Sequence, residues 1–312
     1  MRRKSARWLA AALALVLLGS GGYILWKNVD YGKGEQDYQE ALKTAGIPQW
    51  VQPGERSEPT AAPQETAAPQ EDPYAAALAN ADLDALREVN GDVIAWISIP
   101  GTRLSYPVLQ GDDNSYYLNH TWLKQRSSVG SIYMECQCAP DFSDFNTILY
   151  GHRMNNTSMF GVLKRYESLD FCQSHPCVYI TTDSGVAVYD VFAAFEVGVS
   201  EIVYRLNVDE SGLEEDFFAF CRTHSEVDTG IAPQTGDRVL TLSTCTGQGH
   251  DTRWVVLAVL RAPDEPDAPE TPSPGETPLP AESEIPAETA PLPAQSASPA
   301  EEAPEPGARP PA

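Results

Sequence analysis

The segment Leu240-Thr241-Leu242-Ser243-Thr244-Cys245 runs apolar and β-branched residues straight into a cysteine, and Thr246-Gly247 follows it. That composition reads as a β-strand ending at a turn. A second segment has the same build: Ile148-Leu149-Tyr150 leads into Gly151-His152-Arg153-Met154. Eight residues after Cys245, Arg253 stands at the mouth of a third strand, Trp254 to Leu260. A thiol, an imidazole and a guanidinium thus each sit where a strand meets a loop. The rim of a β-barrel brings such positions together and holds them still.

The surrounding sequence supplies the other walls. Val93 to Ile99, Ser105 to Gln110, Gly130 to Glu135, Cys177 to Thr181 and Val186 to Val199 are further stretches rich in β-branched and aromatic residues, punctuated by Gly, Pro, Asp and Asn. With the strands at Thr147, Arg238 and Trp254 they make about eight, which predicts a mainly β chain folded as a closed or nearly closed barrel with added helices. One helix is expected over Tyr74 to Val89, stopped by Asn90-Gly91. A longer one is expected over Ser211 to Ser225, with Ser211 as its cap and Glu214, Glu215 and Asp216 in its first turn.

Composition bounds where folding can happen. Pro, Ala, Glu, Ser and Thr dominate residues 53–73 and 262–312, which carry too little apolar surface to offset the entropy of ordering. The expected layout is a basic N-terminus (1–7), an apolar segment (8–26), a stalk and Pro-rich linker (27–73), one globular domain (74–261) and an acidic Pro-rich tail (262–312). The net charge is −23, the tail holds eleven acids against one arginine, and no basic stripe lies beyond the first seven residues. Nucleic acid is therefore an unsuitable partner.

Arg2, Arg3, Lys4 and Arg7 precede the uncharged run from Trp8 to Trp26. Its nineteen residues, at ~1.5 Å each, cover about 28 Å, close to a bilayer core. The expectation is a single-pass signal-anchor with the N-terminus cytoplasmic and the globular domain extracytoplasmic. Cleavage near Gly19-Ser20-Gly21-Gly22 is the rival, but the apolar run resumes at Tyr23 and no Ala-x-Ala site is present.

The six cysteines are Cys136, Cys138, Cys172, Cys177, Cys221 and Cys245. Cys172 and Cys177 flank a short polar stretch and read equally as a disulfide or as two small buried hydrophobes. The paired Cys-x2-Cys spacing of a zinc site is absent, and no metal or cofactor is expected.

A Cys–His–Arg set is chemically coherent. The thiolate is the nucleophile, and a neighbouring cation favours it. The histidine can return a proton to a leaving amine. Arginine cannot serve as a base, so it suits an oxyanion or a substrate carbonyl. His250, five residues after Cys245, competes for the base role but lies in the polar Gly247-Gln248-Gly249-His250 loop.

These segments resemble the sortase family, and class B sortases in particular, over residues 82–260. Leu240 to Cys245 looks like the nucleophile strand, Leu149 to His152 like the histidine segment, and Asp251-Thr252-Arg253-Trp254-Val255-Val256 like the arginine strand. Asn90 to Thr102, followed by Tyr106-Pro107-Val108-Leu109-Gln110, is similar to the segment that opens the class B barrel. The resemblance implies a sortase-type eight-stranded barrel with an N-terminal helix and a long helix before the nucleophile strand. It implies a calcium-independent cysteine transpeptidase in which Cys245 attacks the Thr carbonyl of a sorting motif, His152 protonates the departing amine and Arg253 steadies the oxyanion or the substrate. It also implies Asn114, Leu118 and Ser243 as substrate-groove residues. The implied partners are surface proteins bearing a C-terminal sorting motif and a peptidoglycan amine, in a Gram-positive envelope.

Two alternatives are weighed against this. A pilin-polymerising sortase is disfavoured by the class B-like opening segment. A catalytically inactive wall-spanning interaction protein is motivated by the Pro-rich tail, but Cys245, His152 and Arg253 are all present. Ala232-Pro233-Gln234-Thr235-Gly236 has the look of a sorting motif within the chain itself, and reads more simply as a turn into the nucleophile strand. Leu292-Pro293-Ala294-Gln295-Ser296 reads as coincidence in Pro/Ala-rich sequence.

Overall fold

The computed structural model describes residues 2–48, 72–206, 208–246 and 251–262. The Pro-rich stretch at 53–71, most of the expected tail and the loop carrying His250 lie outside them. In chain order the helices are α1 (Arg2–Thr44), α2 (Pro73–Leu78), α3 (Leu83–Val89), α4 (Leu169–Ser174) and α5 (Glu214–His224). The strands are β1 (Val93–Ser98), β2 (Ser105–Leu109), β3 (Ile132–Met134), β4 (Asn146–Tyr150), β5 (Cys177–Thr182), β6 (Gly185–Gly198), β7 (Val239–Cys245) and β8 (Thr252–Leu260). These eight close into a barrel in the order β1-β2-β3-β4-β7-β8-β6-β5. The pairs β2/β3 and β4/β7 are parallel and the others antiparallel. Each expected strand is present, with ends within two residues of those read from the sequence.

Side chains alternate across a strand, so residue parity decides which layer each one joins. Leu240, Leu242, Trp254, Val256 and Ala258 join the main core. Val239, Val255, Leu257 and Val259 join a second cluster with Phe217, Phe218 and Cys221 of α5. Both faces of β7 and β8 are buried along most of their length, which is why Trp254 to Leu260 is uninterruptedly apolar and why Thr241, Ser243 and Thr244 of β7 each have a hydrogen-bond partner.

The helices differ in detail from the expectation. Tyr74 to Val89 forms two helices, because Asp72 caps α2 through the amides of Tyr74 and Ala75, and Asp82 starts α3 by capping Ala85 N at 2.9 Å. Asn90 does end α3. The cap expected at Ser211 is not that of α5. This helix starts at Glu214 after Leu213, whose amide donates to Val208 O, and its three first-turn acids complement the helix dipole.

Residues 28–44, read as part of the stalk, continue α1 onto the barrel. Tyr38, Ala41, Leu42, Ala45 and Ile47 are buried in the main core. The earlier part of α1 corrects the expected membrane span. No helix among the described residues is long and apolar enough to cross a membrane. The span at 8–26, and the single-pass placement with an extracytoplasmic domain that was built on it, are therefore corrected.

All six cysteines are free. Cys172 is buried, with its Sγ 3.5 Å from Tyr166 O, whereas Cys177 Sγ faces Asp190 and Arg261. The Cys172–Cys177 alternative thus resolves to two unpaired thiols.

Gly151, at the end of β4, shows how tightly the barrel closes beside His152. A Cβ there would lie 2.5 Å from Ile132 Cδ1 and 2.8 Å from the Phe160 ring. Overpacking of this kind destabilises by about 1–3 kcal/mol. Gly151→Ala is expected to lower the urea-unfolding free energy by that amount. Gly91→Ala, where a Cβ meets nothing within 4 Å, is expected to change it by less than ~0.5 kcal/mol.

Candidate active site

The antiparallel ladder of β7 and β8 sets Cys245 directly opposite Arg253, Ser243 opposite Val255 and Thr241 opposite Leu257. Opposed residues point to the same side of a sheet, with Cβ atoms about 4.5–5.5 Å apart. Cys245 and Arg253 are therefore neighbours on one face, at the open end of both strands. Cys245 is exposed, while the six β7 residues before it are buried.

The histidine arrives from the next strand over. β4 lies parallel to β7 with Tyr150 beside Ser243. Beyond the ladder, Gly151 N donates to Ser243 O at 3.2 Å and Thr244 Oγ1 donates to Gly151 O at 2.8 Å. The Arg153 guanidinium donates to Thr246 O, fastening the residue after His152 to the residue after Cys245. His152 Nε2 lies 2.6 Å from Leu118 O. A carbonyl oxygen only accepts, so Nε2 carries the hydrogen and Nδ1 is the nitrogen left for other work. Gly130 makes room for this contact. Its φ is +60°, and a Cβ there would lie 2.6 Å from Leu118 O and 2.9 Å from His152 Cδ2.

The three expected groove residues have different surroundings. Ser243 is buried, and its Oγ lies 2.8 Å from the Tyr204 hydroxyl. Leu118 is 43% exposed, so it offers an apolar side chain outward as well as a carbonyl to His152. Asn114 is engaged within the barrel. Its amide nitrogen donates to both carboxylate oxygens of Glu135, at 2.7 and 2.6 Å, and its Oδ1 accepts from Cys136 N. Glu135 also accepts from the Tyr150 hydroxyl at 2.9 Å.

Several residues near the site were not singled out from the sequence as contributors. Burial raises the Tyr133 phenol, the Glu135 carboxylate adds to this, and a thiolate at Cys245 raises it further while Arg253 opposes. The Tyr204 phenol is pushed up to about 12, by burial first, against its Ser243 bond and Arg253, with a Cys245 thiolate again raising it. Both tyrosines are thus within electrostatic reach of Cys245 and Arg253, and both remain protonated donors near neutral pH. Tyr150 and Arg153 border His152 in the sequence and were legible as part of its segment. Tyr133, Tyr204 and Glu135 carry no local signal.

The other five thiols are unsuited to nucleophilic work. Burial pushes Cys138 up to about 12 and, with Asp190 adding, Cys177 up to about 11. Cys136, Cys172 and Cys221 are also raised, in each case by burial first. A raised thiol stays neutral and ionises only as pH climbs toward the raised value. At pH 7.5 iodoacetamide is expected to add to one thiol quickly, with the adduct on Cys245 by peptide mass mapping. Cys245→Ala should remove that fast phase, and further labelling should grow only as pH rises well above neutrality.

The sortase domain model matches residues 97–261 of the chain. Sortase B of Listeria monocytogenes is 34% identical over 166 residues, covering 53% of this chain and 67% of that protein. The Staphylococcus aureus sortase B–substrate complex has a TM-score of 0.54 to this structure, at 30% identity over 57% of this chain and 84% of that one. A sortase B complexed with triglycine gives 0.52 at 31% identity, again over 57% of this chain and 84% of that one.

Proposed function

From the premise that this chain belongs to the sortase family, and within it to class B, we propose that it is a cysteine transpeptidase with Cys245, His152 and Arg253 as its catalytic residues. The observation that carries the reading is the register that opposes exposed Cys245 to Arg253 while the β4 end brings His152 alongside. Its substrates are surface proteins ending in a sorting motif, and its acceptor is a peptidoglycan amine. The substrate and triglycine complexes of the related sortases B support both partner classes.

The Cys245 thiolate attacks the carbonyl carbon of the motif's Thr. The carbonyl π pair moves onto oxygen, and the Arg253 guanidinium faces the charge that develops there. As the tetrahedral intermediate collapses, the C–N bond breaks and the departing amine takes its proton from His152, through the nitrogen not committed to Leu118 O. The thioacyl ester that remains is attacked by the acceptor amine, whose proton His152 takes up as Cys245 leaves as thiolate. Atoms balance without metal or cofactor. Arginine suits its position because its fixed fork of donors stays charged and can hold an oxygen in one direction. Leu118 lines the groove beside Cys245, and the buried Ser243–Tyr204 pair supports it from within. Asn114 shapes that rim by holding Glu135 in place.

The test incubates the full chain with Leu-Pro-x-Thr-Gly, Asn-Pro-x-Thr-Asn, Ser-Pro-x-Thr-Gly and Pro-Pro-x-Thr-Gly peptides, with and without triglycine or diaminopimelate. Intact-mass spectrometry is expected to find a thioacyl adduct that Cys245→Ala lacks, and amine-dependent ligated product. His152→Ala should lose about 10²- to 10⁴-fold in kcat, and Arg253→Lys about 10²-fold. A folded chain with a free thiol that acylates with none of these peptides would sink the reading.

A further inference from the structure

The loop that holds His152 is itself held from outside the barrel. Leu118 supplies the carbonyl that accepts from His152 Nε2, and Gly130 lies behind the ring. Both belong to the segment between β2 and β3, and three residues of α1 grip that segment through six polar contacts. Asp30 accepts from Ser128 N at 3.0 Å and from Ser128 Oγ. Asp37 Oδ2 accepts from Thr121 Oγ1 at 2.9 Å, and Asp37 O accepts from Trp122 Nε1 at 2.6 Å. The Tyr38 hydroxyl donates to Gly130 O at 2.5 Å and lies 3.0 Å from Ser131 Oγ, which in turn donates to His120 O. Tyr38 is buried, so its bond to Gly130 O is shielded from water, and its ring packs edge-on against Tyr106 at 5.1 Å.

We infer that the barrel-facing part of α1 positions His152, and that Tyr38 is the positioning residue through which it acts. The path is short: Tyr38 hydroxyl to Gly130 carbonyl, Gly130 Cα against both Leu118 O and the imidazole, and Leu118 O to Nε2. Gly130 has no side chain to buffer a shift, so displacing its backbone moves the surface against which the ring rests. A second contact of α1, the Glu35–Arg103 ion pair, joins the same helix to the turn between β1 and β2 and includes no residue of this loop. Binding of the helix as a whole and positioning of the histidine are therefore separable. The inference rests on the catalytic role proposed for His152 where it concerns rate, and on geometry alone where it concerns the ring.

The test uses the full chain with ¹⁵N-labelled histidine and compares Tyr38→Phe, Ser128→Ala and Glu35→Gln with the parent. In Tyr38→Phe the His152 ring-nitrogen resonances are expected to move, while those of His175 and His224 stay. With a sorting peptide, kcat should fall roughly five- to tenfold with KM within about twofold, as expected for lost orientation without lost binding. Ser128→Ala should act in the same direction more weakly. Glu35→Gln should leave both the resonances and kcat unchanged, whatever it does to the melting temperature. Unchanged His152 resonances in folded Tyr38→Phe would overturn the inference. Should Tyr38→Phe not fold, unchanged resonances in Ser128→Ala would do so. Shifted resonances in a chain that acylates with no peptide would instead uphold the positioning and defeat the transpeptidase reading.

Discussion

The register of β7 against β8 is the constraint on which the site depends. Seven pairs run from Val239↔Val259 to Cys245↔Arg253. Because side chains alternate with a period of two, a slip by one residue would turn every one of them to the opposite face. The slip is prevented far from the chemistry. Leu240, Leu242, Val256 and Ala258 belong to the main core, and Val239, Val255, Leu257 and Val259 belong to the cluster under α5. Exchanging the two sets would place Thr241 and Ser243 in an apolar layer without Asn146 and Tyr204, their present hydrogen-bond partners. The apolar core thus fixes which way the cysteine points.

The exposure of Cys245 follows from the same ladder. It is the residue at which β7 leaves the buried layers, so its thiol reaches solvent while its backbone is still paired. The remaining cysteines lie deeper or beside carboxylates, and burial keeps them neutral. The exposure of this thiol is thereby set by the position at which a strand ends.

The histidine is governed by different rules. Its segment lies past the end of β4 and is shaped by close approaches instead of by a ladder. Gly151 passes against Ile132 and Phe160, and Gly130 sits behind the imidazole. Neither contact leaves space for a Cβ. The segment that carries Leu118 O has little regular structure of its own and leans on α1 for six of its polar contacts.

The strands, the barrel and the Cys245, His152 and Arg253 segments were legible in the sequence. Short β-branched runs bounded by turn residues have a period that survives without tertiary context, and the motif segments are contiguous. The extent of α1 was not legible. Residues 28–44 are polar with scattered aromatics, and only the barrel surface shows that Tyr38 and Leu42 face a core. Nor was the break between α2 and α3, where Asp82 as a cap outcompetes a continuous helix. The apolar run at 8–26 suggested a span by composition, whereas no helix among the described residues is long and apolar enough to cross a membrane. The partnerships Asn114–Glu135, Tyr204–Ser243 and Tyr38–Gly130 join residues up to 92 positions apart. No local pattern encodes such pairs, because their selection depends on where strand order and parity deliver each side chain. The sequence by itself determined the barrel and the placing of Cys245, His152 and Arg253 at strand ends; the tertiary structure alone decided how these three side chains are oriented, since orientation here is a property of register and of long-range hydrogen bonds.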